Sequence, residues 1–283
     1  MPHTHDNSDN HGVITGSRST AFAGGIVPYV IRNESGNWQP FLPGGEKQSN
    51  NNTDTMACVT FSLLNCIETQ EFFLTGKRIN YSDRWIAKMS GTTPYGNYLQ
   101  TVANTVQQYG LVKEESWPTP QNYTWDSYYA DPDPATLQKL LLEGREWLKS
   151  HKLETDWLTT DKDVILKHLK QCPSQIVRPG HAIENFYTEQ EVVNYFDSYV
   201  PYEKQVQRSV LTDVFKIYLT IKTMRLVNDA GTIYLVGDKG KIGFADMAAL
   251  EQIKALTTEP IENGSTAGIP QIKIMETGFT FHN

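Results

Sequence analysis

Cysteine is scarce in this chain: 283 residues hold three, Cys58, Cys66 and Cys172. So small and odd a number excludes a disulfide scaffold and leaves at least one thiol unpaired. An excess of positive charge is missing too. Lys and Arg number 25 against 32 Asp and Glu, for a net charge of −7. A nucleic-acid binder needs the opposite electrostatic footprint, so no nucleic-acid partner is expected. No apolar run approaches the roughly 18 residues that cross a bilayer, and Met1–Gly12 carries no basic segment followed by an apolar one. We therefore expect no membrane partner, no transmembrane segment and no signal peptide. Gly (20) and Pro (14) are too few for a collagen-like or low-complexity chain, and 39% apolar residues is an ordinary globular content. At about 150 residues per domain the length suits one large or two modest domains.

The text along the chain divides in order. Residues 1–23 are polar, with His3, His5 and His11 scattered at no metal-site spacing, and read as a flexible tail. A short extended segment around Ile26–Arg32 follows, then a Gly/Pro/Asn-rich loop to Thr55. Apolar residues at Met56, Val59, Phe61, Leu63, Leu64 and Ile67 keep a helical period, with Asp54 or Thr55 as the cap. Further helices are expected over Ser82–Met89, Tyr98–Tyr109 with a stop at Gly110, Pro134–Lys149 and Asp161–Gln171, the last burying Val164, Ile165 and Leu169. After Pro173 the period changes to two, giving strands at Gln175–Val177, Ala182–Tyr187, Val192–Phe196 and Val214–Ile221. Helices first and strands later is an α+β pattern. Residues 227–283 form a small extension with a β-hairpin over Thr232–Phe244 and a helix over Ala248–Leu256. Its Gly237, Gly240 and Gly243 stand between two strands, which excludes a phosphate-binding loop.

Cys58 is the most informative residue. It falls in the first turn of a helix, where unpaired N–H groups favour a thiolate. Cys66, two turns further along, and Cys172, before Pro173, read as buried and inert. A thiol nucleophile needs a base, and the base an orienting partner. Three histidines lie in the polar start, His282 is next to the end, and His151 and His168 sit in charged text that reads as solvated. His181 remains, after Gly180 and at the head of an apolar strand. Asp197 closes the next strand, so imidazole and carboxylate can meet at adjacent strand ends.

These segments resemble the papain-like (C1) cysteine peptidases. Ala57-Cys58-Val59-Thr60-Phe61-Ser62 is similar to the family's nucleophile helix, with Val59 for its usual Trp. Gly180-His181-Ala182-Ile183 is similar to its Gly/Asp-His-Ala-Val. Asp197-Ser198-Tyr199 is similar to its Asn-Ser-Trp, with acid for amide and Tyr for Trp. The order Cys, His, Asp and separations of roughly 120 and 140 residues agree as well. The resemblance covers about residues 24–222 and implies a two-lobed fold, a helical lobe plus an antiparallel β lobe, in a peptidase domain of 24–226. It also implies a polypeptide substrate, a thioester on Cys58, His181 as acid and base, Asp197 as its orienter, and neither metal nor organic cofactor. The oxyanion donor is Gln48 or Asn52. With no long pro-segment and no family disulfides, the chain looks like the stripped-down forms of bacterial viruses, hence cytoplasmic or virion-associated. The alternatives are a transglutaminase-like or other thiol amidase, and a non-catalytic virion or binding protein.

Overall fold

Helix α1 (Cys58–Thr75) is buried on every side from Cys58 to Glu71, and the first unit of the protein is built around it. The structure is a computed structural model. It describes residues 11–14, 30–50 and 53–221 in full, and 225–229, 232–237, 240–243 and 262–263 as backbone strands. The chain divides into two units, Met1–Thr220 and Ile221–Asn283.

In the first unit, α1 ends at Gly76, whose left-handed φ of 71° a residue with a Cβ rarely adopts. Helix α2 (Asp83–Met89) starts at Ser82, whose hydroxyl accepts from Trp85 N at 3.3 Å and donates to Trp117 O at 2.7 Å. Helix α3 (Leu99–Tyr109), the short α4 (Trp125–Tyr128) and α5 (Pro134–Ser150) complete the helical part. The end of α3 meets α5 through two glycines: a Cβ on Gly110 would lie 1.9 Å from Gly144 O. After β1 (His151–Leu158) and α6 (Lys162–Leu169) come β2 (Ser174–Arg178), β3 (His181–Glu189), β4 (Val192–Phe196), β5 (Glu203–Gln207) and β6 (Asp213–Ile221). They form one sheet in the order β1-β6-β2-β3-β4-β5. The pairs β2–β3, β2–β6, β3–β4 and β4–β5 are antiparallel.

Ile176, Ile183, Phe186, Val193 and Val214 of the sheet bury against Trp38, Ile165 and Leu169. The Trp38 indole N–H donates to Leu169 O at 2.6 Å. Polar cross-links fix α1 to the strands. Gln175 Nε2 of β2 donates to Val59 O at 2.8 Å and Ser62 Oγ at 2.7 Å. Gln70 Nε2 donates to Ile217 O, and Gln70 Oε1 accepts from Leu219 N. Such bonds satisfy polar groups that water cannot reach, and they fix the register of helix on sheet.

The α+β class stands, and helices occur at the expected places as far as α6, where Val164, expected on the buried side, is only half-buried. In the first unit two strands, β1 and β5, are missing from the sequence reading, because His151–Leu158 and Glu203–Gln207 are rich in charged and polar residues and at most half-buried apart from Leu153, with little apolar alternation to find. Two histidines read as solvated are not. His168 is buried on α6 beside Ile165 and Leu169, and burial pushes its pKa down to about 3. His151 stacks on Trp147 with ring centroids 4.5 Å apart and lies 3.4 Å from Glu71. Cys66 and Cys172 are buried, and burial raises both thiols.

In the second unit β7 (Arg225–Asp229), β8 (Thr232–Gly237) and β9 (Gly240–Gly243) are successively antiparallel, and β10 (Glu262–Asn263) pairs parallel to β7. The expected hairpin is β8–β9. The expected helix over Ala248–Leu256 and residue Asn52 lie outside the described residues. Among the described residues no helix is long and apolar enough to cross a membrane.

Glu184 of β3 is fully buried beside Cys66 of α1, and burial pushes its carboxyl from 4.5 up to about 8, the Thr69 hydroxyl offsetting only part of this. The folded chain therefore keeps a proton that the unfolded chain has lost, and stability falls as pH rises from about 4.5 to about 8. Glu184→Gln removes that loss. Its melting temperature is expected to exceed that of the natural chain by roughly 3–10 °C at pH 8, with the gap closing toward pH 4.5, as read by thermal melts across pH.

Candidate active site

Residues 54–58 turn sharply into α1. Asp54 Oδ1 accepts from Met56 N at 2.8 Å, and Met56 takes a left-handed φ of 54°, unusual for a side chain of its size. Ala57 is the N-cap and has no side chain to bond, so neither Asp54 nor Thr55 caps the helix as the sequence suggests. Cys58 is the first helical residue.

His181 reaches the same place from the sheet. Pro179-Gly180 links β2 to β3, and Gly180 has φ 73°, the pairing of proline and left-handed glycine that a type II turn requires. The next residue starts β3, and the following N–H, that of Ala182, donates to Cys58 Sγ at 3.4 Å. Asp197 lies one residue beyond β4, the antiparallel neighbour of β3. Its Oδ1 is 2.7 Å from His181 Nε2. Both side chains are buried. His181 Nδ1 is buried without a hydrogen-bond partner, so its bond to Cys58 is not made in this structure. Asp197 Oδ2 is engaged by Lys204 Nζ of β5, also at 2.7 Å.

Of the two expected oxyanion donors, Gln48 is at the site. It is wholly buried. Its Nε2 donates to Asp54 Oδ1 at 2.8 Å and to His11 O at 3.1 Å, and its Oε1 accepts from Ser198 Oγ at 2.8 Å. An ionised carboxylate only accepts, so the amide nitrogen must face Asp54, and the orientation of the group is fixed. Tyr199 O–H donates to Asp54 Oδ2.

The sequence reading makes His11 part of a flexible tail, yet His11–Ile14 is bonded across the site. His11 N donates to Gly180 O at 2.7 Å. Its ring lies 4.8 Å from those of both His181 and Tyr199, and its Nδ1 is 3.9 Å from Asp54 Oδ2. Asn97 N then donates to Gly12 O and Ile14 N to Asn97 O, each at 2.8 Å, giving a parallel bridge between Val13 and Asn97 ahead of α3. This strap runs from the strand part to the helical part of the unit. The sequence reading missed Lys204, Asp54 and Ser198 as members of the site, since tertiary hydrogen bonds place them there.

Ionisation follows from that cover. The helix N-terminus was expected to lower the Cys58 pKa. Burial instead pushes the thiol well up, with Asp54 and Asp197 adding to the rise and the Ala182 N–H opposing it. Burial also lowers His181, against the pull of Asp197 and with further lowering by His11 and Arg178. Asp197 stays below its ordinary value although burial raises it, because His181 and Lys204 bond its anion. Burial therefore disfavours the charged form of both the thiol and the imidazole.

No protein-family model matches the sequence, and no curated protein matches it. Solved structures do. The chain is similar to procathepsin L 3 of Tenebrio molitor larval midgut, at 11% identity over 74% of this chain and 76% of that one, with a TM-score of 0.50. It is also similar to the proform of the ragweed pollen cysteine protease Amb a 11 (15%, 64% and 65%, TM-score 0.49) and to the Carica candamarcensis cysteine protease CMS1MS2 (12%, 64% and 96%, TM-score 0.47). The match spans 65% of the ragweed proform's length. The fold is thus the papain-like one of cysteine proteases, a helical part beside an antiparallel sheet. These structures come from plants and an insect and lend no support to a likeness with bacterial-virus forms.

Gly12 has φ 105°, and a Cβ there would lie 1.9 Å from Met56 O. Gly12→Ala should therefore drive the strap from its seat. Labelling of Cys58 by iodoacetamide, located by mass spectrometry, is expected to run at least ~10-fold faster in Gly12→Ala than in the natural chain. Equal rates would mean that the strap does not control access.

Proposed function

We propose that this chain is a papain-like cysteine peptidase that hydrolyses polypeptides through a thioester on Cys58. The observation that carries the reading is the state of His181. Asp197 holds it through Nε2, which leaves Nδ1 free on an imidazole whose neighbouring N–H already touches Cys58 Sγ. Once the strap withdraws, Nδ1 takes the thiol proton and the sulfur attacks the substrate carbonyl carbon. Gln48 Nε2 and the backbone N–H of Cys58 hold the oxyanion. His181 then returns the proton to the leaving amine and activates the water that hydrolyses the thioester. Asp197 keeps the ring in the tautomer that this cycle needs.

The strap itself supports a polypeptide as substrate. The His11 backbone N–H is held by Gly180 O and the His11 carbonyl oxygen by Gln48 Nε2, so the site already binds both backbone polar groups of one residue of extended chain. The contact also favours Gln48 over Asn52 as the oxyanion donor.

The test is cleavage of a mixed peptide substrate by the full-length chain beside an amine-incorporation assay. Cys58→Ala and His181→Ala are each expected to lose at least ~10³-fold in kcat/KM, and Asp197→Ala to lose less. Incorporation of amine without hydrolysis would favour a thiol transamidase. Cleavage unchanged in Cys58→Ala would overturn Cys58 as the nucleophile, and no cleavage together with a Cys58 that an active-site probe does not label would overturn the enzyme reading.

A further inference from the structure

The unexplained member of the site is a lysine. Lys204 stands on β5 opposite Tyr195 of β4, and Asp197 is two residues past Tyr195. An extended chain puts alternate side chains on one face, so Lys204 and Asp197 are diagonal neighbours across the sheet. The Lys204 side chain is partly exposed, and its Nζ meets Asp197 Oδ2 at 2.7 Å. The other oxygen of that carboxylate is 2.7 Å from His181 Nε2. One buried anion is thereby shared between a fixed cation and a titrating ring.

We propose that Lys204 is a positioning residue that limits how strongly Asp197 holds a proton on His181, and so sets the lower pH bound of the reaction, below which the ring is protonated and cannot take the thiol proton. This rests on the reading of His181 as acid and base. A lone buried carboxylate stabilises an imidazolium strongly. With an ammonium on its far oxygen, the pair carries no net charge toward the ring, while the hydrogen bond that orients the ring is kept. The other groups facing His181 are Cys58 and Asp54 near the start of α1, His11 of the strap, Arg178 across the β2–β3 turn, and Tyr199 after β4. None of these bonds Asp197 Oδ2.

Two measurements on the full-length chain test this: the titration midpoint of the His181 ring by NMR, and the acid limb of kcat/KM for peptide cleavage. Lys204→Met and Lys204→Gln are each expected to move both upward by on the order of one pH unit, and Lys204→Arg to leave both in place. Lys204→Gln keeps a donor but no charge, so its shift separates charge from hydrogen bonding. Should Lys204→Met fail to fold, Lys204→Gln carries the comparison. A midpoint that stays put in folded Lys204→Gln, or that rises as far in Lys204→Arg, overturns the role given to Lys204. Cleavage that survives Cys58→Ala overturns the thioester on Cys58 instead, and leaves the ring titration to be judged by itself.

Discussion

The contact between Ala182 N–H and Cys58 Sγ joins the start of a strand to the start of a helix, and the geometry of the site depends on that seam. A helix N-terminus is a poor anchor by itself, since its first N–H groups lack internal partners. Here the anchor comes from the sheet. Gln175 of β2 bonds Val59 O and Ser62 Oγ in the first two turns of α1, and Gln70 bonds both Ile217 O and Leu219 N of β6 further along. Because β3 pairs with β2 in register, fixing α1 on β2 fixes Cys58 against Ala182, and His181 follows from its place beside Ala182. Asp197 is then brought in by the next pairing, β3 with β4.

Water exclusion decides the ionic state of that assembly. The same helix N-terminus that favours a thiolate in an open site is outweighed when the sulfur is fully buried. His181 is pushed in the complementary direction, and the neutral pair costs less to bury than an ion pair would. On the function proposed above, uncovering the site by withdrawal of His11–Ile14 would readmit water and favour the ionised pair in the same event. Gly12 permits the closed form, because any side chain at that position would meet Met56 O.

Cys58, His181 and Asp197 were legible because each sits at the end of a strongly patterned element, where periodicity marks the boundary and chemistry marks the residue. His11 was not. Its neighbours are polar and its order comes from hydrogen bonds to Gly180 and Gln48, which lie far away in sequence. Lys204 escaped for a related reason: β5 alternates exposed and half-buried side chains and offers no apolar signal, so its register with β4 was invisible. Asp54 was read correctly as a residue that bonds nearby backbone, but to the wrong end. It serves Met56 N and the Gln48 amide rather than the helix cap. Local chemistry identified the group, and tertiary packing chose its partner.

Asp54 also shows how the site reconciles two demands. A carboxylate close to Cys58 opposes ionisation of the thiol, and it does so here. It nevertheless fixes the Gln48 amide, because only an obligate acceptor forces that group to present nitrogen rather than oxygen, as the oxyanion role proposed for it would require. The cost is contained by saturation. Asp54 accepts from Gln48, Met56 and Tyr199, and these bonds together with His11 outweigh burial and keep its pKa low. An anion so fully bonded is screened by its own donors, whereas Asp197 has Lys204 for the same purpose. Each of the two acidic groups that would disturb the charge of the reacting atoms is thus tied on the side away from its working contact, Asp54 by Tyr199 and Asp197 by Lys204.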